Sequence, residues 1–257
     1  MNKTIPVVIS LTTTHNRINT LYKTIDTIVN GTKLPEKIIL YISKDKYLLD
    51  DGITNIPENL NKFDSILEIK WVKNIGPHRK YYYSFNDYRH NLILTIDDDM
   101  YYPSNFLEVM YNSYLENSNY IIGGHGKIIN EGHYTKWTKP EIGYHKYNYI
   151  FCGNPGTLFN TNLIPREQYD NMLDLKLIMK LSPSSSEMWL NGFFRYFNIK
   201  IYMIDKSKFN SSFPFKTIEN SQNNSLMKYH KTNNWEKKFK IYSNIKQYFN
   251  NLNNNIN

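Results

Sequence analysis

The chain is nearly without cysteine. Cys152 is the only one in 257 residues, which excludes a disulfide framework and a cysteine-rich zinc module. A lone thiol fits a reducing compartment, and with no His and Asp frame around it Cys152 reads as a core residue. Long apolar runs are missing as well. The longest, Ile5 to Leu11, ends in three threonines and falls short of the about 20 residues that a membrane span needs. Lys3 ahead of it makes a weak signal-peptide pattern, but no small-residue cleavage site follows, so the run reads as a strand. There is no internal repeat, and no recognition-helix, RRM or zinc-finger pattern. What the sequence does have is aromatic surface and positive charge. Aromatics make up 15% of it, 22 of them Tyr, within a hydrophobic fraction of 40%. That excludes a disordered chain and supplies the core of an α/β domain. The net charge of +8 leaves three partner classes open: nucleic acid, an anionic membrane surface and a phosphorylated small molecule.

The first half alternates strand and helix patterns. Val7 to Leu11 is apolar and bounded by turn formers, as a buried strand is. Between Arg17 and Asn30 the residues Ile18, Leu21, Tyr22, Ile25, Ile28 and Val29 trace one helix face, which Asn30-Gly31 ends. Lys37 to Ser43, Leu67 to Val72 and Leu92 to Ile96 read as strands, with a short helix over His78 to Tyr88. After Pro103 a helix runs to about Asn117, with Ser104 its expected N-cap. Tyr120 to Gly123 reads as a strand, residues 124–150 keep no clean period, and Phe151 to Phe159, with Gly153, Pro155 and Gly156, reads as strand and turn. Helices are predicted near Arg166 to Leu181 and Ser186 to Phe197, then a strand at Lys200 to Ile204. Strands separated by helices predict an α/β fold, a mostly parallel sheet with helices on both faces. We expect one domain over residues 1–215 and a basic, Asn-rich C-terminal extension over 216–257. The extension contains a basic amphipathic helix, Trp235 to Phe249, with two readings: a lid or packing helix, or peripheral contact with a membrane.

The most informative residues are Asp97-Asp98-Asp99, directly after an apolar strand. That places them at the carboxyl edge of the sheet, where open parallel sheets bind ligands. Three adjacent carboxylates repel one another unless a cation joins them. A hard divalent cation takes oxygens from one or two such groups and from substrate phosphates. Alternation along an extended segment points Asp97 and Asp99 together and Asp98 away. The plain alternative is a solvated acidic turn before a helix.

At this point the chain resembles the GT-A glycosyltransferases, near the family 2 type and related bacterial polysaccharide-building enzymes. Ile9-Ser10-Leu11-Thr12-Thr13-Thr14-His15-Asn16-Arg17 is similar to their first strand and nucleotide loop, and Leu34-Pro35-Glu36-Lys37-Ile38-Ile39-Leu40-Tyr41 to their second strand. Gly76-Pro77-His78-Arg79-Lys80 resembles the Gly-Pro-x-x-Lys turn of one bacterial subgroup. Asp97-Asp98-Asp99-Met100-Tyr101-Tyr102-Pro103 resembles their Asp-x-Asp followed by a Pro-initiated helix. Glu187-Met188-Trp189-Leu190 resembles a later acidic-x-Trp-Leu element. The likeness covers roughly residues 5 to 205 in the expected order. The subgroup usually has two carboxylates before x-Trp; here Ser186 takes the first place.

The resemblance implies a GT-A, Rossmann-like fold with a C-terminal helical extension. It implies sugar transfer from a nucleotide-sugar donor to an acceptor hydroxyl, with inversion, in glycan or surface polysaccharide synthesis. Asp97 and Asp99 would hold Mn²⁺ or Mg²⁺, with Asp98 beside the donor. Thr12, Thr14, Arg17 and Lys80 would bind the donor, though the threonines could instead cap the next helix and the cations decorate the surface. Glu187 would be the general base, its pKa raised by partial burial beside Trp189; the competing reading is a carboxylate at a helix N-terminus. His230 is the positional candidate for a further metal ligand, whereas His125, His133 and His145 match no zinc spacing. The expected partners are the donor, a glycan or lipid-linked acceptor and peripheral membrane contact, with no nucleic acid. The expected location is cytoplasmic, or peripheral at the inner face of the membrane. Two alternatives share the features: a metal-dependent nucleotidyltransferase, and a non-catalytic protein that binds nucleic acid or glycan.

Overall fold

A computed structural model describes residues 3–130, 132–139, 143–145, 149–151, 156–210, 215–232 and 234–254. Cys152, Gly153 and Pro155 lie outside the described residues. The alternating pattern of the first half folds as β1 (Lys3–Thr12), α1 (Leu21–Val29), β2 (Lys33–Ile42), β3 (Leu67–Trp71), α2 (Arg79–Asp87) and β4 (Leu92–Thr95). Then come the short β5 (Met100–Tyr101), α3 (Phe106–Glu116), β6 (Ile121–Gly123), β7 (Gly126–Ile128), β8 (Gly143–His145), β9 (Tyr149–Phe151) and β10 (Thr157–Asn160). The last elements are α4 (Arg166–Met172), α5 (Leu175–Leu181), α6 (Ser186–Tyr196), β11 (Ile201–Met203), β12 (Lys216–Thr217), α7 (Leu226–Lys231) and α8 (Glu236–Asn254).

Eight strands form one sheet in the order β3-β2-β1-β4-β10-β6-β11-β8. The β1–β2, β1–β4, β2–β3 and β6–β11 pairs are parallel. β10 runs antiparallel to β4 and β6, and β8 antiparallel to β11. Six of these eight strands therefore point one way, in a mostly parallel α/β sheet. Period-two alternation divides β1 between two faces. Val7, Ile9 and Leu11 join Leu21, Ile25 and Ile28 of α1 and Met110 of α3 in one core, while Val8 turns to Ile39 and Tyr41. A second core lies under the later half of the sheet, where Ile93, Ile121, Phe159 and Ile201 meet α2, α4, α5, α6 and α8.

Two local expectations change. The predicted helix over Arg166 to Leu181 breaks into α4 and α5, because the Asp174 carboxylate accepts the Leu177 N–H at 3.0 Å and starts a new helix. Ser104 is not the cap of α3. Asn105 flanks that helix without a side-chain cap bond, and its side chain instead accepts the Asn210 N–H and donates to the Lys208 carbonyl.

The amphipathic pattern at the C-terminus folds as α8. Its Ile241, Ile245 and Phe249 are buried in the same core as Trp189 and Phe193 of α6. The helices approach closely at Gly192, where an added Cβ would lie 2.2 Å from Ile245 Cγ2. The apolar stripe of α8 is thus spent on packing. Among the described residues, no helix is long and apolar enough to cross a membrane.

Candidate active site

The site begins where β1 and β4 end side by side. Their parallel pairing sets Ser10 opposite Thr95, so residues 13–17 and 97–99 leave the same edge of the sheet. The chain turns at Asp98-Asp99 instead of continuing extended. This corrects the expected alternation. Asp98 and Asp99 share one cation, Arg17, whose Nη1 lies 3.0 Å from Asp98 Oδ1 and 2.9 Å from Asp99 Oδ2. Asp97 goes elsewhere, its Oδ1 pairing with Lys80 Nζ at 2.7 Å.

Each carboxylate has its own setting. Asp98 is buried; Thr13 Oγ1 donates to its Oδ2 at 2.5 Å, and Thr24 Oγ1 donates to its carbonyl at 2.9 Å. Asp97 keeps a side-chain exposure of 28%, and its N–H donates to the Tyr102 hydroxyl at 3.0 Å. Asp99 is buried by the segment after residue 215. There β12 pairs with β5, the Ile218 N–H donates to the Asp99 carbonyl at 2.7 Å, and the Ser221 hydroxyl bonds the carboxylate. Burial and the neighbouring Asp98 push Asp99 up to about 6, against the pull of Arg17. Burial lowers Arg17, but the three carboxylates outweigh it and raise its pKa. Among the described residues its Nε is buried without a hydrogen-bond partner.

Lys80 and Arg79 come from the Gly76-Pro77-His78 turn that starts α2. Gly76 has φ +62°, and a Cβ there would meet the Tyr47 ring at 2.9 Å. Arg79 is no surface decoration. It is buried, pairs with Asp50 at 2.9 Å and donates to the Thr13 carbonyl at 3.0 Å, so it braces the loop that carries Thr13. Burial is the largest influence on Lys80 and lowers it, but Asp97, Glu187 and Asp98 hold it charged and raise its pKa.

Glu187 lies in the first turn of α6. Its Oε2 accepts from Ser185 Oγ at 2.9 Å. Burial pushes its pKa up, yet Lys238, Lys80, its own N–H and Ser185 overcome that, and the result is a lowered pKa. The raised value expected from burial beside Trp189 does not arise, because those cations and hydrogen bonds outweigh the burial; the Trp189 indole donates to the Met172 carbonyl at 2.8 Å.

Other sequence candidates land differently. Thr12 Oγ1 donates to the Tyr41 carbonyl of the adjacent strand. Thr14 offers its carbonyl to the N–H groups of Arg17 and Ile18. Neither supplies a side-chain helix cap. His230 is buried, with Nε2 3.4 Å from the Ser184 carbonyl and Nδ1 lacking a hydrogen-bond partner among the described residues. It is within electrostatic reach of Glu187. Among the described residues, no three His, Cys, Asp or Glu side chains converge into a metal-holding group. The carboxylates of Asp97 and Asp99 are the oxygen donors that a hard divalent cation takes, with remaining ligands from phosphates and water, and the raised pKa of Asp99 comes first from burial and then from the neighbouring Asp98.

Sequence reasoning missed four contributors. Thr13 was passed over for its neighbours, although it stands in the same threonine run. Asp50, Ser221 and Lys238 carry no motif; only the folded chain brings them to the site.

The sequence profile described as glycosyl transferase family 2 matches residues 11–171, well over half of the chain. The protein belongs to glycosyl transferase family 2. The span matched by the family runs from the end of β1 through the carboxylate triplet and stops before Glu187 and His230. Among solved structures, this chain is similar to S. aureus TarS 1-349 in complex with UDP, with a TM-score of 0.51 and 11% identity over 78% of this chain and 59% of that one. It is likewise similar to S. aureus TarS 1-349, with a TM-score of 0.51 and 15% identity over 79% and 60%. The two likenesses place the sheet in the GT-A fold. The chain spans about 60% of the length of those structures. No curated protein matches it.

Proposed function

We propose that the protein transfers a sugar from a nucleotide-sugar donor to an acceptor hydroxyl, with inversion, in the synthesis of a glycan or surface polysaccharide. The observation that carries this reading is the linked array at the carboxyl edge: Arg17 on Asp98 and Asp99, Lys80 between Asp97 and Glu187. The bound UDP of one structural relative agrees with a nucleotide donor.

In this reading the donor diphosphate lies along the Asp97–Asp99 turn. Asp99, with Asp97, would hold Mg²⁺ or Mn²⁺, which would supply positive charge to the leaving diphosphate. Arg17 and Lys80 supply fixed positive charge beside it. Asp98 acts indirectly, since Thr13 and Arg17 lock it and it in turn orients Arg17. Glu187 accepts the proton of the acceptor hydroxyl as that oxygen bonds to the anomeric carbon and the bond from that carbon to the diphosphate breaks, with its electron pair leaving on phosphate. Its lowered pKa keeps Glu187 ionised and able to accept at neutral pH. His230 flanks Glu187 and stands as a positioning residue or a late ligand. The acceptor is a glycan or a lipid-linked glycan, and the setting is the cytoplasm or the inner face of the membrane, which the single cysteine suits.

The test is thermal shift against a panel of nucleoside diphosphates with and without Mn²⁺, followed by nucleoside diphosphate release from the matching nucleotide-sugar. One nucleotide should stabilise the protein with metal, and Asp99→Asn should lose that shift. Glu187→Gln should keep the shift but lower turnover about 10²- to 10⁴-fold. No shift with any diphosphate, or turnover of nucleoside triphosphates instead, would overturn the reading in favour of a nucleotidyltransferase or a binding protein.

A further inference from the structure

Three successive carbonyls lead toward Glu187, and each meets a side chain from a different part of the molecule. Residues 182–185 join α5 to α6 without helix or strand. Ser182, Ser184 and Ser185 are nonetheless buried, so their backbone groups need partners away from water. The Ser182 carbonyl accepts from His78 Nε2 at 2.6 Å. The Pro183 carbonyl accepts from the Tyr47 hydroxyl at 2.9 Å. The Ser184 carbonyl faces His230 Nε2 at 3.4 Å. Within the loop, Ser182 Oγ donates to the Ser185 carbonyl at 2.5 Å, and Ser185 Oγ donates to Glu187 Oε2 at 2.9 Å. The carboxylate is thus tied to the loop, and the loop to three distant segments.

Two of those segments belong to the donor side of the site. His78 stands in the turn that carries Arg79 and Lys80. Tyr47 opens a tight turn closed by Asp50, in which the N–H of each residue donates to the carbonyl of the other, at 2.8 and 3.0 Å. Between them Leu48 holds φ +52°, a left-handed conformation that a branched residue adopts only where its surroundings impose it. The Tyr47 ring rests on Gly76, the first residue of the His78 turn. Asp50 pairs with Arg79, Arg79 donates to the Thr13 carbonyl, and Thr13 bonds the Asp98 carboxylate. A continuous series of polar contacts therefore runs from Asp98 to the Tyr47 turn, and the Tyr47 hydroxyl carries it across to the loop before Glu187.

We propose that Tyr47 is a positioning residue for Glu187: with His78 and His230 it clamps the 182–184 carbonyls, so that the segments around the donor and the base form one rigid unit. The assignment rests on the transferase reading above. In it the donor bound along the Asp97–Asp99 turn meets a carboxylate already held in place. Loss of the Tyr47 hydroxyl then falls on turnover and not on nucleotide binding.

The test uses the full-length protein and the nucleotide-sugar that the thermal-shift panel selects, with nucleoside diphosphate release as the readout. Tyr47→Phe removes one hydroxyl. Its kcat should fall about 10- to 100-fold, the scale of a small misplacement of a reacting group, while the donor KM and the Mn²⁺-dependent nucleotide shift stay at the parent's values. In the Glu187→Gln background the same change should cost less than about twofold, because Tyr47 acts through that carboxylate. His230→Gln, whose amide can still donate to the Ser184 carbonyl, should keep more turnover than His230→Ala. A parent-like Tyr47→Phe, an equal loss in both backgrounds, a lost nucleotide shift in Tyr47→Phe, or His230 variants that turn over alike would overturn the clamp. The Glu187→Gln single variant separates the two proposals. If it is impaired while Tyr47→Phe is not, the clamp alone fails; if it turns over like the parent, or no nucleotide shifts the protein, the transferase reading fails and the clamp with it.

Discussion

His78 shows how a single buried side chain ties the site to its second half. It has no solvent exposure. Its Nε2 donates to the Ser182 carbonyl at 2.6 Å, and Nδ1 accepts from the Tyr81 hydroxyl at 3.0 Å. It thereby clips the turn carrying Arg79 and Lys80 to the loop that leads into Glu187. Burial lowers its pKa to about 4. The unfolded chain, with an ordinary histidine, binds the proton first as pH falls. The stability this neutral ring contributes is therefore complete above about pH 6.5 and is lost between there and about pH 4, a total of about 3 kcal/mol. Urea unfolding across that range should show the fall, and His78→Gln should flatten it. A variant with the parent's slope would contradict the assignment. His125 titrates in the same direction but is partly exposed and contributes less. None of this could be read from Gly76-Pro77-His78-Arg79-Lys80. That motif identified the turn, but the partner of His78 lies 104 residues away.

At the level of elements, the packing of α6 on α8 rests on the smallest side chain available. Gly192 faces Ile245 Cγ2 and Phe249 Cε2, which an added Cβ would approach to 2.2 and 3.2 Å. Gly192→Ala should destabilise by about 1–3 kcal/mol through overpacking, offset in part by better helix propensity. The melting temperature should fall by several degrees. Ile245→Ala should cost less on the Gly192→Ala background than in the parent, since the two changes share one contact. A neutral Gly192→Ala would mean that the helices are not in contact there. Periodicity located both helices within a few residues. It left open whether the apolar stripe of α8 meets protein or lipid, because an amphipathic pattern specifies a buried face and not its partner.

For the molecule as a whole, two of the contacts that join the described residues of 216–254 to the rest stand out. The first is the segment that covers Asp99, through β12 on β5 and the Ile218 N–H. The second is the α8 stripe in the core with Trp189. We therefore expect the two proposed parts to unfold together. A chain ending at residue 215 would expose the apolar contacts of Trp189 and Phe193 and the buried Asp99. It should be largely insoluble, or melt far below the full chain and without nucleotide response. A stable, nucleotide-binding 1–215 fragment would show that the extension is an independent unit. The same arrangement places Lys238 beside Glu187, so the loss would reach the site even if the sheet survived.

Local order was written in the sequence. Alternating Val, Ile and Leu residues marked β1, β2 and β4; helix periods marked α1, α3 and α6; and the acidic triplet after an apolar strand marked the carboxyl edge. Such patterns repeat every two or 3.6 residues and depend only on near neighbours. The partners of the charged groups follow from what lies far apart in the chain. β4 pairs beside β1, which brings Arg17 to residues 82 positions away. A turn at Asp98-Asp99 then reverses the expected alternation and gives Arg17 two carboxylates and Lys80 the third. Burial against Ser221, Lys238 and the α6 N-terminus sets which groups stay charged. Electrostatic energy depends on distance and desolvation in space, and no periodicity along the chain encodes either.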